Sequence, residues 1–180
     1  MLNIGKVHSF FDYYHDGVIR VEVMELKGVD KDHNLDAKRT FASFILRKVS
    51  SDAIFVLMCN HHGRVLSLRD LGHFLLDAGH QVYYMTGATR ASQYYTKKFQ
   101  EKILKGSDFG FVAPTMENID GKPIYLIDDV IGTGETIKAA LEVLPNQTEV
   151  ISYAIDVKSF LYHNNLSIEQ LTFSNTKIGL

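Results

Sequence analysis

Cysteine is almost absent from this sequence of 180 residues, which contains only Cys59. A single cysteine excludes an intrachain disulfide framework and any zinc cluster of the CxxC type, and it fits a reducing compartment. Because Cys59 follows an apolar stretch, we interpret it as a small buried thiol rather than as a nucleophile.

Long apolar runs are absent as well. No run approaches the ~20 residues that span a bilayer, and residues 1–17 are too polar and too aromatic for a signal peptide. We therefore expect a soluble, cytoplasmic protein without a membrane partner.

Neither sign of charge dominates, since 19 Lys and Arg face 21 Asp and Glu, for a formal net charge of -2. Such a balance gives no global field for a polyanion, so direct nucleic-acid binding is not expected. With 46% hydrophobic and 22% charged residues and no internal repeat, the composition predicts one globular domain over residues 1–180.

Strand and helix patterns alternate along the chain. Predicted strands cover residues 18–26, 53–58, 81–85, 109–113, 123–128 and 149–155. Asn34 or Asp36 is the predicted cap of a first helix, whose apolar face extends from Ala37 to Val49. A second predicted helix runs from Val65 to a terminating Gly79, and a third covers residues 137–144. This alternation predicts an α/β fold, with a Rossmann-like parallel sheet flanked by helices.

The stretch IYLIDDVIGTGETIKAAL, residues 124–141, carries the clearest functional pattern. Asp128 and Asp129 end a predicted strand, where parallel sheets bind ligands. The loop 132–136 then offers flexible backbone, two hydroxyls and the first N–H groups of a helix, which suit phosphate. Carboxylates repel phosphate but accept hydrogen bonds from a sugar diol or hold a divalent cation, so ribose 5-phosphate satisfies both halves.

Other interpretations of this stretch fit less well. A dinucleotide fingerprint would need Gly or Ala where Ile137 stands, and no GxxxxGK[ST] of a P-loop enzyme occurs in the chain. The acids could simply cap the following turn, but adjacent acids that close a buried strand are costly without a partner. A flavodoxin-like domain that binds a flat cofactor is a further alternative.

The segment IYLIDDVIGTGET resembles the thirteen-residue motif by which type I phosphoribosyltransferases bind phosphoribosyl pyrophosphate (PRPP). The resemblance implies that Asp128 and Asp129 bind the ribose 2- and 3-hydroxyls. It also implies that five loop residues surround the 5-phosphate: Gly132, Thr133, Gly134, Glu135 and Thr136. Gly132 departs from the Thr, Ala or Asp of many members. In purine-salvage members an Asp there faces the base, so the departure counts against that subclass and leaves the acceptor open.

The resemblance extends beyond this motif, over about residues 15–157. It implies a pyrophosphate loop made of Asn60, His61, His62, Gly63 and Arg64, and a flexible flap over residues 86–107, although an exposed polar turn and a solvated charged helix are the respective alternatives. TRASQ (89–93), the later G106-x-x-F109 and the early IRVEVMELKG resemble the ComF group of this family. The zinc ribbon that often precedes ComF domains is not found here.

The implied activity is transfer of ribose 5-phosphate between pyrophosphate and a nitrogenous base or amine, with PRPP as donor and Mg²⁺ as cofactor. Asp128, Asp129, Arg90 and Lys98 are the candidate catalytic residues, and Arg64, Arg90 and Lys97 or Lys98 would serve the leaving pyrophosphate. We expect the metal to arrive mainly on PRPP, with Asp128 or Asp129 as the candidate protein ligand.

The resemblance further implies a core over about residues 36–157 and a small variable hood from residues 1–35 and 156–180. Five aromatic residues there are candidates for stacking a base, although core packing suits most of them: Phe10, Phe11, Tyr13, Phe160 and Tyr162. A homodimer is one candidate assembly. The alternative function is a non-catalytic sensor of PRPP or nucleotides, or a competence-type accessory factor in DNA uptake.

Overall fold

A computed structural model describes residues 7–27, 31–58, 68–89, 109–167 and 171–173. Its strands are β1 (Val7–Asp12), β2 (Tyr14–His15), β3 (Val18–Ile19), β4 (Ile54–Leu57), β5 (Gln81–Tyr84), β6 (Thr86–Thr89), β7 (Phe109–Val112), β8 (Ile124–Ile131), β9 (Glu149–Ile155) and β10 (Leu171–Phe173). Its helices are α1 (Val21–Leu26), α2 (Lys31–Leu46), α3 (Arg69–Asp77), α4 (Glu135–Leu141) and α5 (Val157–Asn164).

Six of the strands form one sheet in the order β10-β1-β9-β8-β4-β5. Every neighbouring pair in this sheet is parallel. The central strands are nearly continuous apolar runs, and all four residues of β4 are buried. Strands covered on both faces have this composition. The predicted α/β fold with a parallel sheet is confirmed.

Helices cover this sheet and share one core with it. Phe41 and Ile45 of α2, Leu75 of α3, Ile137 of α4 and Phe160 of α5 belong to the same buried apolar cluster as the residues of β4, β8 and β9. None of the described helices is long and apolar enough to cross a membrane.

Strand β1 pairs with both β9 and β10 and therefore belongs to the main sheet. We expected residues 7–12 to belong to the hood. The segment was missed because its polar and aromatic residues follow neither period clearly, whereas Val7 and Ser9 are both buried in the structure. The wider division into core and hood stays a prediction.

The strand predicted over residues 18–26 is wrong for most of its length. Only Val18–Ile19 is extended, in a two-stranded hairpin with β2, and Val21–Leu26 is the helix α1. Val23 and Leu26 are its buried residues. Their three-residue spacing places both side chains on one helix face, and burial of that face outweighs the local alternation of the sequence.

Two further predictions need correction. Asn34 does not cap α2, which already includes Lys31; instead its Nδ2 donates to the carbonyl oxygens of Glu25 at 3.3 Å and Leu26 at 2.6 Å, at the end of α1. Strand β7 exists as predicted, but it pairs antiparallel with β6 in a separate two-stranded ribbon.

Candidate functional site

The acid pair lies inside β8, at the point where that strand extends past β4. The β4–β8 ladder ends at the pair Leu57–Ile127, and the Met58 N–H donates to the Ile127 carbonyl at 2.9 Å. Residues 128–131 continue beside β9 alone among the described strands. We expected the strand to end at Asp128, but it continues because β9 supports it as far as Ile131.

Each carboxylate of the pair is fixed by the backbone of the next residue. The Asp129 N–H donates to Asp128 Oδ1 at 2.9 Å, and the Val130 N–H donates to Asp129 Oδ1 at 2.7 Å. A carboxylate has about four acceptor positions, so each side chain keeps most of its acceptor capacity. Within the described part of the chain, neither acid forms an ion pair.

Asp128 is half-buried beside its neighbouring carboxylate. Burial, and then the charge of Asp129, raise the pKa of Asp128 well above its ordinary value, while Lys27 acts weakly in the opposite direction. The ionised pair is therefore unfavourable in the free protein. Hydroxyl donors or a cation at this position would relieve that cost.

The loop after β8 needs glycine at one position and tolerates a side chain at another. Gly134 has φ +86° and caps the amino end of α4, and a Cβ atom added to it would lie 2.6 Å from the Phe160 ring. Left-handed φ and this contact both require glycine. A Cβ atom on Gly132 would meet nothing within 4 Å.

Helix α5 supports this loop from behind. Asn164 Nδ2 donates to the carbonyl oxygens of Thr133 and Phe160, each at 2.7 Å. Because the C=O and N–H of a trans peptide point in opposite directions, this bond turns the Gly134 N–H away from Asn164.

Strand β9 determines where α5 begins. The Asp156 N–H donates to the Ile131 carbonyl at 2.8 Å, and the Asp156 carboxylate accepts from the N–H of Ser159 at 3.0 Å and from its hydroxyl at 2.9 Å. This N-cap starts α5 directly beside the end of β8. The carbonyl of Ile131, just before the loop, and that of Thr133, inside it, thus both accept hydrogen bonds from residues 156–164.

The remaining loop residues contribute charge and hydroxyl groups. Glu135 Oε1 accepts from Lys138 Nζ at 2.8 Å, so its charge is largely compensated where the loop would receive an anion. Thr133 and Thr136 are half-buried. The structure therefore brings the five predicted loop residues and the acid pair together at one end of β8.

The two acids suit a hard cation, although the site holds few protein ligands. The described residues contain no group of three or more His, Cys, Asp or Glu side chains that could hold a metal ion. Carboxylate oxygens are the ligands that Mg²⁺ prefers, and it is commonly held by one or two of them together with substrate phosphates. Asp128 and Asp129 fit that arrangement.

Several predicted site residues lie outside the described residues: Asn60, His61, His62, Gly63, Arg64, Arg90, Lys97 and Lys98. Cys59, interpreted as a buried thiol, also lies outside them. Their proposed roles stay predictions. Of the aromatic candidates for base stacking, Phe160 is fully buried against the loop, which is the core role favoured from sequence, and Tyr162 is 80% exposed.

The sequence did not reveal Asn164 as part of the site, and it suggested base stacking or core packing for Phe160 rather than contact with the loop. Asp156 and Ser159 have the spacing of an N-cap and its bonded N3 residue, which could have revealed α5. The contact between Gly134 and Phe160 joins residues far apart in the chain, and no periodicity reports such a contact.

Comparisons with known proteins give the following findings. No family model matches the chain, and no curated protein matches it. Among solved structures, a hypoxanthine phosphoribosyltransferase from Staphylococcus aureus matches with 14% identity and a TM-score of 0.49, over 83% of this chain and 72% of that one. A Leishmania donovani hypoxanthine-guanine phosphoribosyltransferase matches with 14% identity and a TM-score of 0.37, over 73% and 69%.

An adenine phosphoribosyltransferase from Leishmania donovani also matches, with 18% identity and a TM-score of 0.39, over 95% of this chain and 82% of that one. All these TM-scores are below 0.5, so any function has to be inferred from the residues of the site.

The two loop glycines make a matched pair for testing the support from α5. Gly134→Ala should lower the free energy of unfolding by about 1–3 kcal/mol, because it adds both backbone strain and a clash with Phe160. Gly132→Ala should stay within about 1 kcal/mol of the wild type. Urea denaturation measures both values, and equal losses at the two positions would contradict this description of the loop.

Asp128→Asn should raise stability in a pH-dependent way. The native pKa of Asp128 lies above its unfolded value, so the native state loses stability as pH rises from about 4 through the native pKa. The variant lacks this charge, and its melting temperature should exceed that of the wild type at pH 8, by about 2–4 °C for each kcal/mol regained. The difference should shrink toward pH 4.

The exposed Asp120 provides the control for this experiment, and Asp120→Asn should show no such difference. Two results would show that burial does not disfavour the Asp128 charge. One is equal melting temperatures of Asp128→Asn and the wild type at pH 8, and the other is a difference in melting temperature that grows toward pH 4.

Proposed function

We propose that this protein is a phosphoribosyltransferase that uses PRPP and Mg²⁺ to transfer ribose 5-phosphate to a nitrogenous base or amine, or catalyses the reverse reaction. One observation carries the proposal. Two carboxylates with free acceptor capacity lie on β8 beyond the end of β4, and the loop that follows them directly carries the half-buried hydroxyl residues Thr133 and Thr136 at the start of α4.

The two halves of this site prefer different parts of one ligand. The acceptors of Asp128 and Asp129 suit the ribose 2- and 3-hydroxyls, which donate hydrogen bonds. Residues 132–136 provide backbone donors and the hydroxyls of Thr133 and Thr136 for the 5-phosphate. A molecule with a diol and a phosphate on one ring separates the negative phosphate from the negative acids.

The reaction would break the bond between ribose C1 and the pyrophosphate oxygen, which keeps the electron pair. The nitrogen lone pair of the acceptor forms the new bond to C1. The proton of that nitrogen passes to solvent or to a side chain that acts as a general base. Positive charge develops on the ribose ring between these events, and the carboxylates of Asp128 and Asp129 would stabilise it.

The leaving pyrophosphate requires positive charge of its own. We propose Arg64, Arg90 and Lys98, with Lys97 as an alternative to Lys98, and the backbone of residues 60–63 for this role. Mg²⁺ bound with PRPP, with Asp128 or Asp129 as the candidate ligand, supplies further charge neutralisation.

The residues of the site do not specify which nitrogenous base or amine is the acceptor. Gly132 carries no side chain that could contact a base, and the space around it is open. Within the family we propose a ComF-like transferase, in line with the sequence segments that resemble that group, and a cytoplasmic location.

The activity can be tested in the reverse direction, because the nucleotide that is consumed also identifies the acceptor. The protein is incubated with Mg²⁺, pyrophosphate and a panel of nucleoside monophosphates, and PRPP formation is measured. One nucleotide should give PRPP, and the variant Asp128→Asn/Asp129→Asn should lose PRPP affinity by about tenfold or more in calorimetry, since about 1.4 kcal/mol corresponds to a factor of ten.

Asp120→Asn is the matched control and should leave PRPP affinity unchanged. Absence of PRPP binding by the wild type, or equal affinity of the double variant, would refute the assignment. Binding without turnover of any nucleotide would refute catalysis and favour a sensor.

Asn164 is expected to act on the 5-phosphate through the loop. Asn164→Ala should raise the KM for PRPP by about five- to tenfold with a smaller change in kcat, because one net hydrogen bond of about 1 kcal/mol that orients the loop is lost. The exposed Asn146→Ala is the control. A fall in kcat at unchanged KM would instead indicate a merely structural loss of active enzyme.

A further inference from the structure

A cavity lies between α1, α2 and the strands β1 and β9. Its volume is about 280 Å³. Three of its lining residues carry a carboxylate and three carry an aromatic ring: Glu22, Glu25, Asp36, Phe11, Phe44 and Tyr153. No lysine or arginine of the described residues lines it. The cavity thus combines negative charge with an apolar wall.

The negative charge of this cavity is only partly compensated. Asp36 Oδ1 lies 3.0 Å from Arg39 Nη1, and Glu22 Oε1 lies 3.9 Å from Arg20 Nη1. Glu25 is half-buried and forms no ion pair with any described residue. A positively charged group in the cavity would therefore find a carboxylate that no described residue competes for.

Tyr153 supplies an independent indication of a ligand. Its side chain is 2% exposed and lines the cavity, yet its hydroxyl forms no hydrogen bond with any residue of the described ranges. Burial, and then the charges of Glu22 and Glu25, raise the pKa of this hydroxyl, which agrees with an orientation toward both acids. The hydroxyl oxygen itself is not sealed from the cavity, so it is free to bond to a ligand that enters it.

The aromatic wall also suits a cation. The Phe11 ring centroid lies 5.1 Å from that of Tyr153 and 6.1 Å from that of Phe44. The Arg20 guanidinium already lies 5.4 Å from the Phe11 centroid, so this ring cluster accepts positive charge in the free protein. Aromatic faces attract ammonium groups in the same way.

We propose that this cavity binds a small organic cation with a protonated amine. Glu25 is its counter-ion, the Tyr153 hydroxyl oxygen accepts an N–H of the ammonium group, and Phe11 and Phe44 pack against its carbon atoms. The volume lies just below the range of about 300–1,000 Å³ for ligand pockets, so the ligand is a short or single-ring amine. The proposal does not depend on phosphoribosyl transfer.

A matched pair of probes tests this site in the absence of PRPP. Phenethylamine is protonated at pH 7, and 2-phenylethanol is a neutral molecule of nearly equal shape. Calorimetry should show saturable binding of the amine and at least about tenfold weaker binding of the alcohol, because a factor of ten corresponds to about 1.4 kcal/mol.

Two variants locate the binding. Glu25→Gln should weaken amine binding by at least about fivefold, and Tyr153→Phe should weaken it by about two- to fivefold, in line with about 1 kcal/mol for a hydrogen bond. Tyr153→Phe should not lower the melting temperature, since the hydroxyl is unpaired in the free protein. The control is the exposed Glu142→Gln, which should bind like the wild type.

Three results would overturn the proposal. These are no saturable binding of the amine, equal binding of the amine and the alcohol, or an affinity that Glu25→Gln leaves unchanged. None of them bears on PRPP, so a failure here is distinguishable from a failure of the transferase proposal.

Discussion

The close approach of two half-buried carboxylates, Asp128 and Asp129, is the constraint on which the site depends. Burial and the charge of Asp129 disfavour the charge of Asp128, and backbone N–H groups satisfy only one acceptor on each acid. A protein keeps such a pair only where the surrounding structure supports it. Here that support is β9, whose residues 150–155 are all buried and whose pairing carries β8 past the end of β4.

The same strand connects the acids to the loop that follows them. Asp156 leaves β9, bonds to the carbonyl of Ile131 and starts α5, and α5 then holds the Thr133 carbonyl and packs Phe160 against Gly134. Acids and loop are therefore positioned by one continuous segment, β9–α5. A rigid support of this kind keeps a ligand's two ends at a fixed separation, which binding and catalysis both require.

Much of the fold could be predicted from sequence, because β4, β8 and β9 are short apolar runs and the face of α2 repeats at helical spacing. The site's two halves could be predicted because their chemistry is local to residues 128–136. Strand β1 and helix α1 could not be predicted, because their local sequence patterns are mixed. Burial of Val7, Val23 and Leu26 in the tertiary structure determines these two elements instead. The contacts of Asn164 and Phe160 with the loop arise from packing between distant segments.

A crystal structure of the protein with ribose 5-phosphate is the most direct test of a site in which the acid pair binds the ribose and the loop 132–136 binds the phosphate. The account predicts that the ribose 2- and 3-hydroxyls donate to Asp128 and Asp129, and that the phosphate accepts from backbone N–H groups of residues 132–136, including Gly134. A phosphate bound elsewhere, or a ribose diol that does not touch the acid pair, would contradict it.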